Sequence, residues 1–104
     1  MRDTARHIMA PRRHPGYEGH FPGNPLVPGA LLLHWVCKAV EDIHAGRRVL
    51  TINTMKFLAP VRPGDALVIR VSLDGAGDRC SVTVMRGDEM VARGTLRIAP
   101  EGTF

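Results

Sequence analysis

Two histidines stand at the ends of a short segment rich in proline and glycine. His20 opens the sequence HFPGNPLVPGALLLH, and His34 closes it fourteen residues later. Histidine exchanges a proton near neutral pH, so either side chain could serve in acid–base chemistry, although a lone histidine is more often structural. A zinc site would need a third ligand, and none lies close to these two in the sequence. No metal is expected, and nothing in the sequence indicates a cofactor.

The segment leads into an apolar stretch that predicts a helix over Pro28 to Ala45. Proline suits the first position of a helix because its missing N–H would have no intrahelical partner, and Gly46 follows as a stop. The first half of this helix is apolar on almost every side. Its polar residues fall on one stripe, formed by His34, Lys38, Glu41 and Asp42. A helix this apolar is hard to bury in a monomer of this size, which favours dimerisation.

After Gly46 the hydrophobic period changes from that of a helix to the period of two that is typical of strands. Four runs predict strands at 49–61, 66–73, 79–86 and 89–98, separated by the turn sequences RPGD, DGAGD and GD. Together they predict an antiparallel meander of four strands. A further short strand is predicted around Ala5 to Ala10, within an N-terminal segment of residues 1–16. One apolar helix across one antiparallel sheet indicates the α+β class.

Composition narrows the class of protein. The chain has 104 residues, of which 44% are hydrophobic, and this predicts a single domain over 1–104. A net charge of +4 favours an acidic partner, but the arginines are scattered and only five aromatic residues occur, so no nucleic-acid site is expected. The N-terminus is charged and no run reaches the ~18 to 20 apolar residues of a membrane span, so a cytoplasmic protein with no membrane contact is expected. Cys37 and Cys80 are expected to be reduced thiols in or near the core.

Two sequence blocks resemble the 3-hydroxyacyl-acyl carrier protein dehydratases. They are GHFPGNPLVPGALLL and KFLAPVRPGDAL, and the resemblance extends over roughly Tyr17 to Arg70. It implies a hot-dog fold, in which an antiparallel sheet wraps around a long central helix. It also implies removal of water from a 3-hydroxyacyl thioester of acyl carrier protein or CoA, giving a trans-2-enoyl thioester, in fatty-acid, polyene or polyketide-type synthesis. The resemblance also implies a homodimer, or a higher assembly built from it. Because this chain is shorter than typical members of the family, its first strand is expected to be reduced.

The resemblance implies a role for individual residues. His20 matches the histidine that removes the C2 proton, with its ring oriented by a backbone carbonyl near Leu26. Gly29 matches the glycine whose N–H, at the positive end of the helix, polarises the thioester carbonyl. In the family, the tunnel for the acyl chain lies between two protomers. The residues expected to bind substrate are Phe21, Pro22, Gly23, Leu26, Pro28, Leu31, Leu33 and Phe57.

His34 departs from the family, which carries Glu or Asp at this position to protonate the leaving hydroxyl. A histidine with its usual pKa of about 6.5 could itself act as the acid. Alternatively the site is catalytically disabled, leaving an acyl-carrier-binding protein or the silent subunit of a heterodimer, or His34 is simply solvated. A hot-dog thioesterase is a further alternative, although such enzymes generally use a helix carboxylate and the first half of this helix has none. The sequence leaves these alternatives open.

Overall fold

The computed structural model describes residues 2–17 and 26–100, which form one α-helix and five β-strands. In chain order these elements are β1 (Arg2–Met9), α1 (Gly29–Ile43), β2 (Val49–Phe57), β3 (Ala66–Leu73), β4 (Arg79–Arg86) and β5 (Glu89–Ile98). A single turn of 3-10 helix, Pro15–Tyr17, lies between β1 and α1. No helix within these two ranges is long and apolar enough to cross a lipid bilayer.

All five strands belong to one antiparallel sheet with the order β1-β3-β4-β5-β2. The predicted bounds of β3, β4 and β5 are confirmed. The predicted four-strand meander is wrong at its first connection, because β2 pairs with β5 at the edge of the sheet and not with β3. β2 also ends at Phe57 rather than at residue 61. Pro60 and Pro63 have no N–H to donate to a strand ladder, so the chain leaves the sheet here. It then passes β5 and β4 before β3 begins.

The inner face of the sheet is covered by α1. Leu32, Val36 and Val40 are buried at intervals of four residues, which places them on one side of the helix. Facing them, alternate residues of the central strands are buried, among them Ile69 on β3 and Val82 on β4. A helix laid across an antiparallel sheet is the hot-dog arrangement, so the predicted α+β class and fold are confirmed.

The helix is shorter at both ends than the predicted span of Pro28 to Ala45. Pro28 is the N-cap residue rather than the first helical residue, and the helix ends at Ile43. The chain then turns through residues 44–46, where Gly46 has a φ of 84°, a left-handed conformation that glycine adopts without steric cost.

The first strand is not reduced, contrary to expectation. β1 has eight residues and pairs with all eight residues of β3, from Arg2 opposite Leu73 to Met9 opposite Ala66. It therefore starts earlier than the predicted strand at Ala5 to Ala10 and ends one residue earlier. An edge strand needs only one buried face, which explains how a sequence with several charged residues still forms it.

Both cysteines are free, as predicted. Cys80 is fully buried on β4, and Cys37 is half-buried on α1. Burial raises the pKa of both thiols, so they stay protonated at neutral pH.

Edge strand β2 approaches β5 unusually closely at Gly94. A Cβ atom on Gly94 would lie 2.2 Å from the backbone oxygen of Thr54 and 3.0 Å from the Cα of Met55. The same part of β2 carries a shift in pairing register between Ile52 and Thr54. Glycine at position 94 thus allows the irregular edge strand to stay paired with β5.

We expect Gly94→Ala to lower the free energy of unfolding by about 1 to 3 kcal/mol, because the new methyl group forces backbone atoms of β2 away from β5. Urea unfolding measures this change. Gly75→Ala is the matched control, since a Cβ there meets nothing within 4 Å. Equal stabilities for the two variants would contradict the close approach.

Candidate functional site

An apolar cleft opens at the N-terminal end of α1, between the helix and the chain that follows β2. Its volume is about 370 Å³. The residues that line it are Leu26, Val27, Pro28, Gly29, Leu32, Phe57, Leu58, Ala59, Pro60 and Val61. Every side chain in this set is apolar, so the polar groups available at the cleft, among the residues the structure describes, are those of the backbone. Such a surface suits an uncharged group with an apolar chain.

The start of α1 leaves backbone donors available at this cleft. The Leu31 and Leu32 N–H groups both donate to the Pro28 carbonyl, at 3.0 and 3.1 Å. The N–H groups of Gly29 and Ala30, which precede them, have no intrahelical acceptor. No side chain caps the helix at Pro28. The positive end of the helix dipole therefore lies beside the cleft with N–H donors that have no acceptor among the described residues, an arrangement that stabilises negative charge on an oxygen.

Gly29 also allows an aromatic ring to lie against the helix start. A Cβ at this position would be 3.2 Å from two ring carbons of Phe57, closer than most real contacts of this kind. Phe57 itself is 48% exposed, so its ring covers the helix start on one side and faces solvent on the other. The ring and the Gly29 N–H thus border the same opening.

The wall of the cleft opposite the helix is held by hydrogen bonds from three directions. The Val27 N–H donates to the Val61 carbonyl at 2.7 Å, which ties the approach to α1 to the chain after β2. The Leu58 N–H donates to the Val91 carbonyl at 2.8 Å. Arg86 on β4 donates to the Pro60 carbonyl at 2.8 Å. These bonds fix the backbone that faces the start of the helix.

Asp65 supports the same wall through Arg86. Its carboxylate accepts hydrogen bonds from the Arg62 N–H and from the Arg86 guanidinium, both at 2.8 Å. Burial alone would raise the pKa of Asp65, but these hydrogen bonds and the two positive charges outweigh it, so the pKa lies below its usual value. Arg86 also pairs with Glu89, so its guanidinium group contacts Pro60, Asp65 and Glu89.

The structure brings together four of the predicted site residues and separates others from them. Those that meet at the cleft are Leu26, Pro28, Gly29 and Phe57. His34 is exposed on the outer side of α1, and neither it nor Leu33 lines the cleft. Leu31 packs toward the chain near Gly16, where a Cβ would lie 3.1 Å from its Cδ2 atom. The predictions for His20, Phe21, Pro22 and Gly23 concern residues that lie outside the described ranges.

Sequence reasoning missed the residues that hold the cleft in place. Val27 and Val61 are buried and joined by a hydrogen bond, and Leu58 and Pro60 line the opposite wall. The apolar sequence LAPV after Phe57 was an available signal for this wall. No sequence signal pointed to Arg86, because its contact with Pro60 depends on strand order, which hydrophobic periodicity does not determine.

The sequence of this chain is similar to those of several proteins named as dehydratases. The family model described as ApeI-like, ApeI dehydratase, matches residues 3–95. A 3-hydroxyacyl-[acyl-carrier-protein] dehydratase FabZ of Caulobacter sp. strain K31 is 32% identical over 100 residues, covering 86% of this chain. A FabZ of Chloroflexus aggregans is 43% identical over 68 residues. The chain spans about 58% of the length of the Caulobacter protein and 47% of the Chloroflexus protein.

Among solved structures, the dehydratase heterocomplex ApeI:P from Xenorhabdus doucetiae is similar, with a TM-score of 0.80. The likeness covers 94% of this chain and 88% of that one, at 21% sequence identity. At this identity the similarity supports the fold alone.

We expect Asp65→Asn to reduce stability at neutral pH by about 1 kcal/mol, because it removes a charge-assisted hydrogen bond. The pKa of Asp65 is lowered on folding, so its contribution is complete above the unfolded pKa of about 3.9 and is lost as the pH falls through the lower folded value. Wild type should therefore lose more stability than Asp65→Asn when urea unfolding is repeated in acid. Exposed Asp88→Asn is the control, and equal acid sensitivity of wild type and Asp65→Asn would contradict this role.

Proposed function

The chain belongs to the ApeI-like dehydratase family, and from that premise we propose that it removes water from a 3-hydroxyacyl thioester. The acyl group is carried by acyl carrier protein or CoA, and the product is a trans-2-enoyl thioester. The family match over residues 3–95 is the observation that carries this proposal. The curated relatives named as dehydratases of 3-hydroxyacyl-acyl carrier protein support the substrate class. The free thiols of Cys37 and Cys80 agree with a reducing compartment such as the cytoplasm.

The described part of the site supplies the group that such a reaction needs at the thioester oxygen. Removal of the C2 proton places negative charge on that oxygen, and a fixed N–H donor in an apolar surrounding stabilises it. We assign this role to the Gly29 N–H, which lies at the uncapped start of α1 and beside the ring of Phe57. The absence of a side chain at Gly29 lets the thioester approach. The leucine and proline side chains of the cleft would contact the apolar chain next to the carbonyl.

The two histidines supply the proton transfers in this proposal. His20 is the base that takes the C2 proton, as the matching family motif implies. His34 is the acid that protonates the leaving hydroxyl, because a protonated imidazole is able to donate a proton to it. Its imidazole replaces the carboxylate of the family without removing the ability to donate a proton.

Exposure of His34 in the single chain favours a site that is shared between two copies. His34 lies on the exposed side of α1 with Lys38, four residues further along, and does not line the cleft around Gly29. A group that protonates a leaving hydroxyl must reach the substrate within hydrogen-bond distance. We therefore place the second copy against this side of the helix, so that His34 of one copy and His20 of the other act on the same substrate.

Edge strand β2 is the surface through which we join the two copies. Within residues 2–17 and 26–100 it pairs with β5 on one side only, and apolar side chains remain exposed on it and just beyond it. They are Leu50, Ile52, Phe57 and Leu58, with exposed fractions between 41% and 58%. An open edge with apolar side chains is typically paired or covered. Antiparallel pairing of β2 with its copy satisfies the open backbone groups and gives a closed twofold dimer.

A heterodimer is the second candidate arrangement, and the substitution at His34 is the observation that favours it. If His34 cannot donate the proton, this chain would be the subunit that binds the carrier while a related chain supplies the carboxylate. The solved dehydratase of Xenorhabdus doucetiae is itself a heterocomplex by its name. Turnover by the purified chain alone separates the two arrangements.

We expect Leu50→Glu to convert the dimer to a monomer, because it places a charge in the proposed β2 interface. Sedimentation velocity measures the change. Met9→Glu is the matched control, since Met9 is equally exposed, at 61% compared with 58%, but lies on β1 at the opposite edge of the sheet. A wild-type monomer, or a Leu50→Glu dimer, would contradict this interface.

We expect His20→Ala and His34→Ala each to reduce turnover of a 3-hydroxyacyl-carrier thioester by about 100-fold or more, because each removes a proton-transfer group. His34→Glu should retain activity, since it restores the family's residue. His7→Ala on exposed β1 is the control and should match wild type. The assay identifies the product by mass spectrometry.

Other outcomes of this assay would indicate other functions or roles. Enoyl product with unchanged rate in His34→Ala would exclude His34 as the acid. Free acid as the product would indicate a thioesterase. Binding of the thioester without turnover would favour the heterodimer subunit.

A further inference from the structure

The outer face of the sheet, opposite α1, is strongly positive. The face is formed by the outward residues of the strands, which alternate with the buried residues of the core. Its cationic side chains, all exposed, are Lys56, Arg70, Arg79, Arg93 and Arg97. None of the functions assigned above uses this face.

Strand register places three of these cations in one line across the sheet. Lys56 on β2 lies opposite Arg93 on β5, which lies opposite Thr83 on β4, and Thr83 lies opposite Arg70 on β3. We call Lys56, Arg93, Thr83 and Arg70 the basic row. With about 4.8 Å between neighbouring strands, the row is about 14 Å long, and Arg70 and Arg93 are about 10 Å apart.

A line of hydroxyl groups runs beside the basic row, two residues away from it on β2, β5 and β4. It consists of Thr54, Thr95 and Ser81. The hydroxyl oxygens of Thr54 and Thr95 lie 3.1 Å apart and form a hydrogen bond. Hydroxyl groups both donate and accept hydrogen bonds, so this line adds donors for an anionic surface that contacts the basic row.

The charges of the basic row are not neutralised within the described residues. Arg97, outside the row, pairs with Asp78 at 3.7 Å, and Arg79 lowers the pKa of nearby Asp74. No ion pair is formed by Lys56, Arg70 or Arg93 within residues 4–17 and 26–100, whose side chains the structure describes. Like charges directly opposite each other on neighbouring strands are unfavourable, and Lys56 and Arg93 are such a pair. An anionic surface placed over the row would relieve this repulsion.

We propose that the basic row docks an acidic helix of a partner protein. Carboxylates seven residues apart on a helix are about 10.5 Å apart along its axis, which matches the separation of Arg70 and Arg93. The face covers about 19 by 25 Å, smaller than a standard interface of about 800 Å² per partner. The contact is therefore transient and sensitive to salt.

An acidic protein fits this face better than a nucleic acid or a lipid surface. The described aromatic residues Tyr17, Trp35 and Phe57 all lie elsewhere, so no stacking platform for bases exists on the face. Three unpaired cations are also fewer than the roughly six to ten phosphate contacts of a protein held on duplex DNA by charge. Three cations are also fewer than the cluster of about four to eight lysine or arginine residues that is typical of a binding site for anionic lipid.

The test uses the full chain and a fluorescent helical peptide of about 20 residues, with glutamates repeated every seven residues. Fluorescence anisotropy at about 50 and 200 mM NaCl measures the affinity. Arg93→Glu should weaken binding at least about tenfold, because it reverses the central charge of the row. Its melting temperature should stay the same or rise, because the new carboxylate lies opposite Lys56. Arg70→Glu provides an independent variant at one end of the row.

Arg13→Glu is the matched control, since it makes the same charge change at an exposed residue outside the sheet. It should change the affinity less than about twofold at about 200 mM NaCl. A peptide with glutamine in place of glutamate should not bind. Equal losses in Arg93→Glu and Arg13→Glu would overturn the proposal. Tighter binding of duplex DNA or phosphatidylserine vesicles than of the acidic peptide would also overturn it.

Discussion

Packing of one side of α1 against the sheet determines where the functional groups of this protein can lie. Because Leu32, Val36 and Val40 are buried along the helix, its axis is fixed and its N-terminus must end beside the chain that follows β2. The N–H groups at that end point along the axis, so they point toward the cleft. If the helix rotated, the Gly29 N–H and the ring of Phe57 would no longer border the same opening.

The same packing determines what the single chain lacks. The buried side of α1 is used by the core, so His34 on the opposite side is directed away from it. The cleft accordingly contains a donor for an oxyanion and an apolar wall, without a proton-transfer side chain among the described residues. The open edge at β2 and the exposed side of α1 are the two features that a second chain would complete. In the proposed dimer, the copy that covers the edge at β2 would also bring the remaining proton-transfer groups to the cleft.

Much of this architecture could be predicted from local signals, and the rest depended on long-range pairing. Alternation of apolar and polar residues in the sequence predicted β3, β4 and β5, and Pro28 and Gly46 indicated where the helix begins and ends. The position of β2 beside β5 could not be predicted, because periodicity carries no information on which strands are neighbours. For the same reason the contact between Arg86 and Pro60 was missed. Gly29 and Phe57 were both predicted as site residues from two separate sequence blocks, and their contact shows that the blocks meet in space. The full eight-residue β1 was underestimated, because arginines on an exposed edge obscure the strand pattern.

The central claim is that the cleft around Gly29 is one half of a dehydratase site, completed by a second copy. Mixing His20→Ala and His34→Ala chains under conditions that exchange protomers tests it most directly. In a shared site, each mixed dimer contains one site with both histidines and one with neither. Random assortment should then restore about a quarter of wild-type turnover from two inactive proteins. A mixture that remains inactive while native mass spectrometry, with one variant labelled with 15N, confirms mixed dimers would contradict the account, because both histidines would then act within one chain.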